Sequence, residues 1–315
     1  MTPCRHCLSL LIAAAVNIFI CSAQSDESQS VADTGSISAG QFQLRYRIEG
    51  TGIPALVIGN SLYYPRVFSQ QLRTELRLVF LDHRGFARPA GQVDTTHFAL
   101  DTLIEDMERA RSTLKISRMA VIGHSGHAIM ALEYAKKYPQ HVSHVIMIGI
   151  GPDMSAASSA ATAKYWRDSA SAERKSILEE NRRRIPDSLI ARRSPSDQFI
   201  LRYVRNGPRS WYDARFDSSP LWKGSNVNTD VMSYVWGQVL PRIDFTKGLD
   251  DFDIPVFLAL GRYDYLVPPP SAWDTVRSKF RNLTVRIFEQ SGHTPPYEEA
   301  SLFDKELLAW LERHR

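Results

Sequence analysis

Past position 21 the sequence contains no cysteine: all three, Cys4, Cys7 and Cys21, sit at the start of a 315-residue chain. The rest of the chain can therefore form no disulfide, no thiol nucleophile and no thiolate metal site. Net charge of one sign is also lacking. The 38 basic and 34 acidic residues are interleaved and leave only +4, so no global nucleic-acid signal exists and any basic patch must be local. Internal repeats and low-complexity tracts are absent as well. What is present, 43% hydrophobic and 23% charged residues, is ordinary globular composition and enough for one large domain with an insertion.

The first residues differ from the remainder. Arg5 and His6 precede an apolar run from Leu8 to Ile20, followed by Cys21-Ser22-Ala23-Gln24. The run is short of the roughly 20 residues needed to cross a bilayer, and its layout is that of a secretory signal peptide. The expectation is a leader over 1–23, cut after Ala23, and an exported protein, periplasmic or secreted. A lipoprotein attached to a membrane through Cys21 is the alternative, against which the large Ile20 stands. Residues 24–40, rich in Ser, Asp, Gln and Ala, read as a flexible linker.

From Gln41 the apolar Phe42, Leu44, Tyr46 and Ile48 alternate with polar neighbours, which predicts a half-buried strand ending at Gly50-Thr51-Gly52. Short apolar runs follow at Ala55–Ile58, Leu76–Leu81, Met119–Ile122, Val142–Ile148, Val256–Leu260 and Leu283–Phe288. Continuous apolar runs imply strands buried on both faces, as in a parallel sheet covered by helices. Helical patterns lie between them at Leu100–Leu114, Ala128–Tyr138, Ser271–Phe280 and Leu302–His314. The alternation predicts an open α/β sheet. It breaks over 151–250, an Arg-rich, aromatic segment with helical stretches and no convincing strand pair. Positions 174 to 215 hold eleven Arg or Lys against five acids. This reads either as a solvated helix face or as an attraction for an anionic substrate or surface.

Chemistry concentrates at strand ends. Met119 to His127 reads MAVIGHSGH: an apolar strand, a sharp turn, then a helix starting near Ala128. A serine at such a turn, Ser125, is forced into a strained conformation that exposes its hydroxyl, and the helix N-terminus offers amides to a developing oxyanion. Its hydroxyl needs a base, and Ser291-Gly292-His293-Thr294-Pro295-Pro296 supplies a histidine in a rigid loop after the last strand. A carboxylate must orient that base.

The elbow resembles the G-x-S-x-G of the α/β-hydrolase family, with His127 where the family has its second glycine. That substitution leaves two readings: the helix sits away from the strand, or the imidazole lines the pocket. Gly261-Arg262-Tyr263-Asp264-Tyr265-Leu266-Val267-Pro268 resembles the family's acid turn, which points to Asp264, with Asp153 a distant second. The order Ser125, Asp264, His293 is the one the family uses. Its oxyanion hole is expected from the amides of Gly126 and of Asn60 or Ser61, in the loop Ile58-Gly59-Asn60-Ser61, where the family usually has His-Gly. Asp82-His83-Arg84-Gly85 resembles a D-x-R-G segment of the prolyl-iminopeptidase-like branch, with a structural job for Asp82 and Arg84.

The resemblance thus implies an α/β-hydrolase fold: a mostly parallel sheet flanked by helices, with a catalytic domain over 41–150 and 251–315 and a helical cap over 151–250. It implies a serine hydrolase for a small acyl substrate, an ester by default, with no cofactor or metal and no nucleic-acid partner. A prolyl-iminopeptidase-like aminopeptidase, with Glu179 and Glu180 receiving a free amine, is the second reading. A non-catalytic binding protein of the same fold is the third.

Overall fold

The computed structural model describes residues 33–94 and 98–315. The expected leader, 1–23, and the first part of the expected linker lie outside the described residues.

Eight strands form one sheet in the order β1-β2-β4-β3-β5-β6-β7-β8. They are β1 (Asp33–Ala39), β2 (Phe42–Glu49), β3 (Ile53–Gly59), β4 (Leu76–Asp82), β5 (Met119–His124), β6 (Val142–Ile148), β7 (Val256–Gly261) and β8 (Leu283–Phe288). Pairing is antiparallel from β1 to β2 and from β2 to β4. From β4 across to β8 every pair is parallel.

The apolar runs become central strands for the reason their composition suggests. In β3, Leu56 and Ile58 face one core layer while Ala55 and Val57 face the other; in β5, Val121 opposes Ala120 and Ile122. Both layers exclude water, so these strands are apolar up to their C-terminal ends, where buried His124 closes β5. One layer is closed by the helices Leu100–Thr113 and Gly126–Lys137, through residues such as Met107, Ile129 and Leu132. The other is closed by the helix Ala300–Arg313, whose Phe303, Leu307 and Trp310 meet Phe257 and Phe288.

Three expectations are corrected. Residues 33–39 are not linker: Asp33 to Ala39 pair with Ile48 to Phe42 through a turn at Gly40, and Ile37 and Ala39 are buried. An edge strand with one covered face needs few apolar residues, so its composition looked like linker. Strand β8 is mostly half-buried rather than fully buried, because it is the opposite edge of the sheet. Ser271–Phe280 is not one helix but two short 3₁₀ turns, Pro270–Thr275 and Arg277–Lys279. The run Pro268-Pro269-Pro270 removes amide donors at its start, and β-branched Thr275 and Val276 sit where a continuous helix would pass.

Between β6 and β7 the chain is helical, with no strand among the described residues of 151–250. Its longer helices are Ala156–Ser169, Ala172–Arg184 and Pro195–Arg205. Serines accept from the amide three residues on at all three N-termini: Ser155 from Ser158, Ser171 from Arg174 and Ser194 from Asp197. The basic stretch divides. Arg174 is buried and donates to the carbonyls of Pro208 and Trp211, Arg205 pairs with Asp187, and Arg183, Arg184, Arg192 and Arg193 are exposed.

Candidate active site

Ser125 stands between the end of β5 and the first residue of the helix Gly126–Lys137, at φ 57° and ψ −135°. A non-glycine residue pays about 1–3 kcal/mol for such a backbone, and the surroundings enforce it. The amide of Ser125 donates to the carbonyl of Ile148 in β6 at 2.8 Å, and its carbonyl accepts from Ala128 at 2.8 Å. The strand and helix then run so close that a Cβ on Gly123 would lie 2.2 Å from the carbonyl oxygen of His127. The close packing is thus secured at Gly123. Of the two readings of His127, the helix does not stand away; the imidazole lines the pocket.

Asp264 and His293 meet as expected. Nδ1 of His293 donates to Oδ2 of Asp264 at 2.7 Å, with both side chains almost fully buried. Oδ1 of the same carboxylate accepts from the amide of Leu266 at 3.0 Å. Nδ1–H toward the carboxylate leaves Nε2 as the unprotonated nitrogen. Ser125 and His293 line one cavity of about 100 Å³. Asp153, the second choice, is not at the histidine: its Oδ1 accepts from the amide of Ser155 at 2.8 Å.

Two residues outside the expected set hold the histidine loop. Glu298 accepts from Gly292 and Thr294, either side of His293, at 3.0 Å each, and from Tyr212 at 2.6 Å. Burial pushes its pKa up to about 7 against these three amides. Nε2 of His124 donates to the carbonyl of His293 at 2.8 Å, and its Nδ1 accepts from the hydroxyl of Tyr64 at 3.2 Å. Burial, then the neighbouring His293, holds the pKa of His124 well below the usual histidine range, so it is a neutral brace. A glutamate five residues after a loop histidine carries no local signature, so sequence reasoning missed it.

At the end of β3, Gly59 turns with φ +149°, and a Cβ there would meet the ring of Tyr64 at 2.3 Å. Asn60 follows, fully buried, its Oδ1 accepting from the amides of Leu62 and Tyr63. Of the two amides weighed as donors, that of Ser61 is committed to Oδ1 of Asp82 at 2.7 Å. Asp82 is anchored in turn by Nε of Arg45 at 2.7 Å, and Arg84 forms a two-bond pair with buried Asp106 at 2.6 and 2.9 Å. The D-x-R-G segment thus ties the loop that carries Asn60 to the sheet.

The insertion completes the cavity with Phe199, Tyr203, Trp222, Met232 and Trp236. Trp236 lies in a π-helical turn, Val235–Val239, and comes so near the elbow that a Cβ on Gly126 would lie 2.7 Å from its Nε1. Ser125, Gly126 and Trp236 also border a second cavity of about 330 Å³, which includes Asp153 and Arg209. The serine therefore stands between an aromatic chamber and a more polar one.

A strained serine between strand and helix, a carboxylate-bound histidine lining the same cavity and an eight-stranded, mostly parallel sheet agree with the comparisons. A family model described as the alpha/beta hydrolase fold matches residues 51–300, and the chain belongs to that family. The AB hydrolase superfamily protein YclE of Bacillus subtilis is 39% identical over 272 residues, 86% of this chain and 96% of that protein. A proline iminopeptidase of Heyndrickxia coagulans is 24% identical, covering 79% of this chain and 87% of its own. Among solved structures, the proline iminopeptidase of Mycobacterium smegmatis superposes with TM-score 0.66 at 14% identity, over 90% of this chain and 98% of its own. A thermophilic esterase from Thermogutta terrifontis does so with TM-score 0.59 at 19% identity, over the same shares. At these identities the structures establish the fold alone.

Proposed function

We propose that the protein is a serine hydrolase that cleaves small carboxylic esters through an acyl-enzyme on Ser125. The observation that carries the reading is the 2.7 Å bond from Nδ1 of His293 to Asp264 behind it, with the His293 ring and Ser125 lining one chamber. In that tautomer Nε2 is a free base. It takes the Ser125 proton as Oγ forms a bond to the substrate carbonyl carbon. The carbonyl oxygen becomes an oxyanion, held by the amides of Gly126 and Asn60; Gly126, as the first helical residue, has an amide with no acceptor inside its own helix. The tetrahedral species collapses, the bond to the leaving oxygen breaks, and the proton on Nε2 goes to that oxygen. Water, deprotonated by His293, then attacks the acyl-enzyme and releases the acid by the same route.

Esters are favoured over N-terminal peptide bonds by the lining of the chamber. An aminopeptidase must bind a free ammonium group, and a buried charge needs a counter-charge. No Asp or Glu lines the aromatic chamber, and Asp153 in the second cavity accepts from the amide of Ser155 and lies beside no other acid in that lining. Glu179 and Glu180, the acids considered for that task, pair with Arg182 and Arg215 at the surface. The names of the iminopeptidase relatives nevertheless make that activity the proper comparison.

A fluorophosphonate probe tests the hydrolase. The expected outcome is stoichiometric labelling, abolished in Ser125→Ala; a folded, unlabelled protein would leave a non-catalytic binder. A set of p-nitrophenyl esters beside proline 4-nitroanilide tests the bond, and faster release from the anilide would reverse the assignment.

A further inference from the structure

The second cavity bordered by Ser125 has in its wall a cation that the hydrolytic cycle does not use. Arg209 lines it together with Ser125, Gly126, Asp153 and Trp236. The short turn that carries it, Gly207–Ser210, is tied to the loops of both Asp264 and His293. The carbonyl of Arg209 accepts from the amide of Tyr265 at 2.9 Å, and that of Ser210 accepts from the amide of His293 at 2.5 Å. The guanidinium lies over the ring of Trp166, 5.4 Å from its centroid, and Nη2 donates to the carbonyl of Tyr265 at 3.2 Å. Both anchors adjoin the cavity wall: Thr162 and Ala163, a turn before Trp166 on the helix Ala156–Ser169, and Leu266, next to Tyr265, line it as well.

No carboxylate answers this charge among the described residues. Burial, then the charge of Arg182, lowers the pKa of Arg209, and no acid is among the groups that act on it. Asp153, the one acid in the lining, is engaged with the amide of Ser155. The hydroxyls of Ser159 and Thr162, in the same lining, donate to carbonyls of Ser155 and Ser158 and are not free to hold an anion. Of the side-chain nitrogens of Arg209, Nη2 is bonded to Tyr265 and Nε is shut away without a partner; Nη1 is neither, and is the donor left for a ligand. A partly desolvated cation without a counter-ion is costly, and a ligand that brings the negative charge recovers that cost.

The direction of the substrate follows from the other lining. His293 and Asn60 line the aromatic chamber and not the second cavity. The leaving oxygen takes its proton from His293 and so faces the chamber, which leaves the second cavity to the acyl chain. From this arrangement we infer that Arg209 binds a carboxylate at the far end of the acyl chain, so that the preferred substrates are half-esters of short dicarboxylic acids. The inference rests on the serine-hydrolase reading.

The test measures kcat/KM by acid release for the monomethyl esters of succinate, glutarate, adipate and pimelate, each beside its analogue with a carboxamide in place of the carboxylate. At one chain length or more the half-ester should exceed the amide by about tenfold or more, the size of one hydrogen bond to a charged group. Arg209→Gln should bring that ratio close to one, and Arg209→Lys should recover part of it. Arg209→Met replaces the Gln variant if the latter does not fold. Amides cleaved as well as half-esters at every length would overturn the inference and leave the hydrolase reading intact. So would a preference that survives in the uncharged variants, or one confined to 3-acetoxypropionate, whose carboxylate is on the alcohol side. Labelling of Ser125 without cleavage of any of these esters would have the same meaning. No cleavage of any ester, with no labelling of Ser125, would overturn both.

Discussion

At the scale of single residues the chemistry depends on which proton each histidine carries. Hydrogen-bond partners settle that for four of them: His293 and His127 are protonated at Nδ1, His83 and His124 at Nε2. Only His293 combines a carboxylate partner with a bare Nε2 in the chamber shared with Ser125. Asp264→Asn should therefore lower kcat by about 10⁴-fold, because an amide in place of the carboxylate favours the other tautomer. Circular dichroism should show the fold retained. A near-normal rate would mean that another carboxylate orients the base and would return Asp153 to consideration. The residue-level signals were legible in the sequence where a motif fixes a local turn, as at Ser125, Asp264 and His293. Glu298 and Tyr64 were not legible, since their partners come from loops far away in the chain.

At the scale of elements, the elbow is a strand and a helix pressed together at one glycine. Gly123→Ala forces the helix Gly126–Lys137 to move, because the obstructing atom is backbone rather than a flexible side chain. The expected result is a loss of about 1–3 kcal/mol, typical of overpacking. Ester turnover should fall more than stability alone explains, because the moving helix carries the Gly126 amide. Chemical denaturation and kcat on the same sample check both, and an unchanged kcat would show that the helix start is not part of the oxyanion site. The central strands were readable because double-sided burial leaves a continuous apolar signature. The edges β1 and β8 were less so, since one covered face imposes only half the constraint. The failure at Ser271–Phe280 has the same origin as any periodicity error: apolar spacing suits a helix, while three preceding prolines and β-branched residues decide against it.

At the scale of the whole molecule, several buried groups make stability depend on pH. Burial lowers the pKa of His83, His124, His127 and His144 in the folded state, whereas in the unfolded chain histidines titrate near 6.5. As pH falls through that value the unfolded chain takes up protons that the folded protein refuses, so these groups subtract stability on acidification. Glu298 acts in the opposite sense. Raised to about 7 when folded and near 4.3 when unfolded, it favours the folded state at low pH and loses that contribution as pH rises toward 7. Burial also raises Asp82, Asp106, Glu133 and Asp304, which act in the sense of Glu298, but unfolded carboxylates titrate near 4 and unfolded histidines near 6.5, so over pH 7.5 to 5.5 the four histidines dominate and Tm should fall. His127→Phe should flatten the dependence by up to one proton. A Tm that rises over that interval would mean that the buried histidines take up protons in the folded state.

The sequence by itself determined the parallel sheet, the helical insertion between β6 and β7 and the three strand-end motifs. Each of these is written in local periodicity or in a short turn that only certain residues can make. Tertiary structure alone decided which insertion residues wall the chamber, that the Ser61 amide is committed to Asp82, and that the rings of His83 and His127 pack edge to face. Those outcomes depend on contacts between segments far apart in the chain, and nothing in the order of neighbouring residues encodes the distance between two such segments.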